Sequence, residues 1–230
     1  MRLTASLPVL LLLAACGGGG AAPDPVPPPE QFVLEITHGW FPLAKGSHRT
    51  YMGTSEGVER REEEGTLLDP RVLRRVACTG VYQEIYDEGV LVETTTEWFA
   101  EDNRGNVWKF GEESFEVIEG TPFRTVDSWL AGEDPVVPYI AFPAAAGVGE
   151  VYEIHYVDGT DTYVVAATDA FVSTPAGDFT GCLELHENPD DPEDADIILY
   201  APGLGRVAET STSGHIDLVA YTAGPPVPGP

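Results

Sequence analysis

The chain has 230 residues, 38 acidic against 12 basic, and a formal net charge of −26. That balance excludes nucleic acid as a partner and opposes flat docking on an anionic membrane, because the field of the whole molecule repels polyanions. It fits a solubilising surface on an exported domain, and it is also compatible with cation binding.

A basic start, Met1-Arg2, leads into an apolar run over residues 3–13 that is interrupted only by Thr4, Ser6 and Pro8. Small residues follow, and the run closes as Leu13-Ala14-Ala15-Cys16. These are the physical parts of a secretion signal. The segment resembles the lipobox of bacterial lipoproteins. The resemblance implies that residues 1–15 are removed, that the Cys16 thiol takes a diacylglycerol, and that the new amino terminus is acylated. Each buried acyl methylene contributes about 0.8 kcal/mol, so two or three chains make a lasting anchor without a membrane-spanning helix. An ordinary leader with an incidental cysteine is the alternative. Gly17 stands where lipoproteins retained at the inner membrane of proteobacteria carry aspartate, which implies the outer membrane, facing the periplasm or the cell surface. No later stretch supplies the roughly 20 apolar residues of a spanning helix.

Residues 16–30 read as the lipidated cysteine and a tether, first glycine-rich and then proline-rich, able to hold a domain up to roughly 40 Å from the bilayer. Residues 31–222 form a single acidic domain, and residues 223–230 a flexible tail. Within the domain, residues 69–77 admit a brief helix, although the spacing of Val72, Leu73 and Val76 is short. Residues 90–99 are β-branched and aromatic after the turn Asp87-Glu88-Gly89. Asp102-Asn103-Arg104-Gly105 turns the chain into a strand over 106–111, which places Trp98 and Trp108 as a cross-strand aromatic pair or an exposed platform for glycan or lipid. Further strands fall at 150–157, 163–174, 178–186, 197–200, 206–212 and 215–221, separated by Gly and Pro turns. About ten strands with short connections predict an all-β antiparallel curved sheet, a half-barrel or a barrel or sandwich.

Once Cys16 is assigned to lipid, Cys78 and Cys182 remain, and an exported setting predicts a disulfide between them. Two buried thiols are the alternative. Half of the 12 basic residues lie between Arg49 and Arg75, where Glu62, Glu63 and Glu64 offer ion-pair partners. Nucleophile elbows, His-Glu-x-x-His and Cys-x-x-Cys are absent, and His38, His48, His155, His186 and His215 are scattered. A triad therefore requires His155 or His186 to meet a serine in space. The loop 187–196, with Asp190, Asp191, Glu193 and Asp194, offers oxygens to Ca2+ but departs from the EF-hand spacing; a solvated hairpin loop is the alternative.

Three blocks, residues 97–112 (Glu97 to Glu112), 173–183 and 200–207, are similar to blocks in a widespread family of bacterial lipoproteins. In pattern they more loosely resemble the curved-sheet exported proteins that include lipoprotein carrier and receptor folds. The resemblance implies a sheet wrapped around an apolar cavity and supplies no catalytic residues and no cofactor. The expected function is a membrane-anchored, non-catalytic envelope domain that binds or scaffolds, with an apolar small molecule or an envelope protein as partner. An exported hydrolase with a site assembled only in three dimensions, and a calcium-stabilised surface module, are the alternatives.

Overall fold

A computed structural model describes residues 25–126, 128–155 and 159–224, the side chain of residue 155 excepted. Leu13, Ala14, Ala15 and Cys16 lie outside the described residues. Among the described residues fifteen strands, all in one sheet, follow in chain order: β1 His48–Ser55, β2 Val58–Thr66, β3 Arg71–Leu73, β4 Val76–Asp87, β5 Val90–Glu101, β6 Val107–Ile118, β7 Thr121–Arg124, β8 Trp129–Leu130, β9 Tyr139–Phe142, β10 Val151–His155, β11 Thr160–Thr174, β12 Gly177–Glu187, β13 Asp196–Ala201, β14 Gly205–Thr210 and β15 Gly214–Thr222. The all-β antiparallel expectation holds, with more strands than the ten read from turn spacing. The strands not placed from sequence include short pieces, β3, β8 and β9, two to four residues long, and also the long β1, β2 and most of β4.

The chain begins in the middle of the sheet. It meanders outward through β2, β4, β5, β6 and β7, crosses to the opposite edge, and returns through β10 to β15, so that β15 pairs with β1. Leu183 and Leu185 on β12 share a core with Val81 on β4 and Phe99 on β5. β12 and β4 are six steps apart along the sheet order, which in a flat sheet is roughly 29 Å at about 4.8 Å per strand. The sheet is therefore curled, and its two wings face each other across the concave side.

Residues 36–43 pack into that curl. Ile36 and Leu43 are buried in the shared core, with Trp40 and Phe41 packed against it. Phe41 stacks on Phe142 with ring centroids 4.3 Å apart and meets Phe99 edge-on at 5.2 Å. The cavity implied by the carrier resemblance is thus occupied, on this side, by the chain's own N-terminal strap. A second core, on the opposite face of β4 to β6, joins Trp98, Ala100, Trp108 and Phe110 to Trp129 and Leu130, and Val26 and Phe32 pack against it. The described chain is accordingly docked on the domain from Val26 onward.

Three sequence expectations change here. Residues 69–77 form a hairpin: Leu73 and Val76 pair across Arg74 and Arg75, and a single turn of helix has no internal gain to offset that pairing. Trp98 stands opposite Gly111 and Trp108 opposite Ala100, because a bulge between Trp98 and Phe99 offsets the register; both indoles are buried, which removes the exposed platform. Cys78 and Cys182 are both free. Cys78 lies in the core of Trp108 and Phe110, and Cys182 in a third core with Tyr51, Val207 and Leu218, so each thiol is packed as a small apolar group away from the other.

Candidate functional site

The concave side gathers the ionisable groups. Antiparallel pairing sets Tyr51 opposite Glu62 and Arg49 opposite Glu64, which puts four polar side chains on one inward face. Arg49 donates to Glu64 Oε1 at 2.6 Å and to the Leu204 carbonyl at 2.6 Å. Arg206 on β14 donates to Glu62 Oε2 and to Glu209 Oε2, each at 2.6 Å, and the Tyr51 hydroxyl donates to the Arg206 carbonyl at 3.1 Å. Gln83 completes Glu62 at 3.0 Å. Of the basic cluster in the sequence, Arg49, Arg60, Arg61 and Arg71 are ion-paired.

Lys109 forms a second node. Its Nζ donates to Glu97 Oε1 at 2.5 Å and also to Glu112. Burial works against its charge, but Glu97, with Tyr139 and Glu112, holds its pKa well above the ordinary lysine value. Burial, with Lys109 opposing, carries Tyr139 to about 12. The arrangement is a locked charge pair rather than a poised base.

A third node lies at the open ends of β11 to β13, where Glu187 pairs with Asp196 and Tyr163 in register. Burial, reinforced by the charges of Asp161 and Asp196, raises Glu187 to about 7. Burial, with Glu209 and Asp194, raises Asp196 to about 6. These groups adjoin the loop expected to bind Ca2+. Asp190, Asp191, Glu193 and Asp194 are exposed on it. Asp191 Oδ1 accepts the Glu193 N–H at 3.0 Å, and Asn188 Nδ2 donates to Asp194 Oδ2 at 2.8 Å and to Asp161 Oδ1 at 3.0 Å. Among the described residues no three His, Cys, Asp or Glu side chains come together in a way that would hold a metal. The loop is organised by Asn188, in the left-handed region at φ 45°, which tolerates that conformation and bonds its own neighbours.

The strap is fastened by polar anchors that sequence reasoning missed. Glu101 Oε2 accepts the backbone N–H of Thr37 at 2.6 Å and of His38 at 3.0 Å, and Trp40 Nε1 donates to the Gly181 carbonyl at 3.2 Å. His38 Nε2 donates to the Pro143 carbonyl at 3.1 Å, and its buried Nδ1 has no hydrogen-bond partner among the described residues. Burial lowers the His38 pKa against the Pro143 bond and the Glu101 charge, which favours the neutral ring. Asp102, 2% exposed, accepts four hydrogen bonds: Arg104 N–H and Asn106 N–H on Oδ1, and Asn106 Nδ2 and Trp108 Nε1 on Oδ2. The Asp-x-x-Gly turn was legible, while its link to Trp108 depends on the strand that follows. His186 pairs with Glu184, and among the described residues no serine hydrogen bond brings it into a triad; the His155 side chain lies outside the described residues.

A groove of about 440 Å³ lies on the other face, lined by Val26, Pro27 to Pro29, Arg74 to Val76, and Phe110. No protein-family model and no curated protein matches the chain. Among solved structures it is similar to a protein from Bacteroides fragilis NCTC 9343, provisionally described as exported and as having a YmcC-like fold, at 13% identity over 80% of this chain and 99% of that one, with a TM-score of 0.45. It is also similar to a provisionally described lipoprotein from Parabacteroides distasonis ATCC 8503, at 12% identity over 80% of this chain and 99% of that one, with a TM-score of 0.42.

Proposed function

We propose that the chain is a lipid-anchored protein of the bacterial cell envelope, held through Cys16 in the outer membrane, and that its β domain binds or scaffolds an envelope protein rather than catalysing a reaction. The anchor rests on Leu13-Ala14-Ala15-Cys16 and the Gly/Pro stretch behind it. The observation that carries the non-catalytic reading is the filled concave side: Ile36, Trp40, Phe41 and Leu43 occupy it, and Arg49, Arg206 and Lys109 are each committed to carboxylates there. The histidines support the same reading, since His48 faces Glu63, His186 faces Glu184 and His215 faces Asp217 on separate strands. With the interior committed to structure, recognition falls to the outer surface.

Native mass spectrometry of protein purified from its own envelope tests both halves. The expected species begins at Cys16, carries the mass of a diacylglycerol plus an acyl chain, and retains a bound protein. Cleavage elsewhere with a free Cys16 thiol would overturn the anchor. Turnover of an ester, peptide or glycoside by the purified chain would overturn the non-catalytic reading.

A further inference from the structure

Four two-residue turns in this sheet place both central residues at positive φ, the geometry that matches strand twist in a hairpin. Three are Glu56-Gly57, Glu88-Gly89 and Glu119-Gly120, with glycine second. The fourth, between β3 and β4, is Arg74-Arg75, at φ 46° and 70°. Left-handed backbone strains any residue with a Cβ, and two such residues in succession carry that strain twice. The other three turns show that this chain places glycine where the conformation demands it. At the second central position the other three turns carry glycine, so the Arg75 side chain stands here at a local cost.

The surroundings of Arg74 and Arg75 give them a use. In a chain of net charge −26, Arg49, Arg60, Arg61, Arg71, Lys109 and Arg206 all hold carboxylates, while among the described residues Lys45, Arg74, Arg75, Arg104 and Arg124 have none within ion-pair distance, and of these Arg74 and Arg75 stand side by side on one groove. The Arg74 stem is seated over Gly132, where an added Cβ would lie 3.1 Å from Arg74 Cγ. Both arginines line the groove of about 440 Å³ whose other walls are Val26, Pro27 to Pro29, Val76 and Phe110. Two cations beside an apolar wall suit a ligand with an anionic head and an apolar body. The wall is built from the segment that runs back to the anchor: eight residues lie between Cys16 and Pro25, at most about 30 Å of extended chain.

We propose that the Arg74-Arg75 turn and its groove bind the phosphate headgroup of an anionic membrane lipid, seating the strongly acidic domain on the bilayer by one face. This rests on Cys16 being the anchor. The test uses the mature chain carrying Cys16→Ser, which has no lipid of its own, sedimented at low salt with vesicles of phosphatidylcholine alone or mixed with phosphatidylglycerol. The companion variant is Arg74→Asn with Arg75→Gly, which supplies the preferred residues for this turn and so keeps the hairpin. Partition onto the mixed vesicles is expected to fall roughly thirty-fold in that variant, the effect of two charges near an anionic surface. Arg124→Gln, an exposed arginine elsewhere, is expected to leave partition unchanged. Equal binding by the double variant, or equal binding to phosphatidylcholine alone, overturns the proposal. Release by inorganic phosphate at constant ionic strength assigns the groove to a free anion and overturns the lipid source. Since Cys16→Ser removes lipidation from this measurement, a failure here is separate from a failure of the anchor, which the mass of the native protein reads.

Discussion

Arg206 Nη2 and Glu62 Oε2 lie 2.6 Å apart although 144 residues separate them in the chain, and the bond ties the returning meander to the outgoing one on the concave side. The Glu62 side chain is 7% exposed and that of Arg206 15% exposed, so little solvent competes. Removing Glu62 leaves the buried Arg206 guanidinium with Glu209 alone, at a cost of up to about 3–5 kcal/mol, whereas replacing both members with apolar groups leaves no buried cation short of a partner and is milder. Glu62→Met is therefore expected to be strongly destabilised in urea unfolding. Glu62→Met with Arg206→Met should recover much of the loss. Equal destabilisation of the single and double variants would show that the two residues are not coupled.

The Glu187 and Asp196 carboxyls set a pH dependence whose sign is opposite to that of a salt-bridged carboxylate. Their folded-state values, about 7 and about 6, lie above those of the unfolded chain. Between the ordinary carboxylate range and neutral pH the folded chain therefore holds protons that the unfolded chain has lost. Stability is highest at the acidic end of that window and falls as pH rises through it. Two groups act in the other direction: Asp87, lowered chiefly by its bond to Arg60, whose contribution is lost as pH falls below the ordinary aspartate value, and His38, lowered by burial, whose folded ring resists the proton that the unfolded ring takes up below the ordinary histidine value. Thermal melts from pH 4.5 to 7.5 should decline toward neutrality, and Glu187→Gln should flatten most of the slope. A rising profile in the parent chain would contradict the burial of Glu187.

The strands were legible because their causes are local. Residues 90–99 are rich in β-branched and aromatic side chains after a glycine turn, and they fall within β5 as expected. The strap was not legible, because nothing in residues 32–46 announces that Glu101, Pro143 and Gly181 will take their hydrogen bonds. The same holds for Glu187, whose pKa is raised first by burial and then by Asp161 and Asp196 from two other strands. The disulfide expectation failed for a related reason: compartment and parity speak of cysteine chemistry, while pairing requires strands to meet. Arg74-Arg75 misled in the opposite sense, since its residues oppose the backbone they adopt and local preference pointed away from a hairpin.

Cys78 and Cys182 are expected to behave as inert core groups. Burial pushes the Cys78 thiol up to about 12 and raises that of Cys182, so neither carries appreciable thiolate at neutral pH. Iodoacetamide should leave both unmodified in the folded protein and alkylate both after denaturation without any reductant. A requirement for reductant would restore the disulfide.

Gly53 controls the seam between the two meanders. It pairs with Ile216 where β1 meets β15, and a Cβ there would lie 1.9 Å from the His215 carbonyl oxygen. Across the same seam, a Cβ on Gly214 would lie 1.8 Å from the Thr54 carbonyl oxygen, so the two backbones approach closely at two points. The obstructing atoms are main chain and cannot rotate aside, which makes accommodation a matter of separating the strands. Gly53→Ala should therefore cost at least the roughly 1–3 kcal/mol typical of overpacking. Met52→Ala, its half-exposed neighbour, should stay within about 1 kcal/mol of the parent chain. Native-state hydrogen exchange separates a local from a general effect: β1 and β15 amides should lose protection in Gly53→Ala while those of β4 to β6 keep theirs. Because β15 closes the return meander onto β1, the free energy lost at this seam should appear in global urea unfolding as well. A Gly53→Ala protein with parental stability and undiminished β15 protection would mean that the two wings are held together by the strap and the core alone.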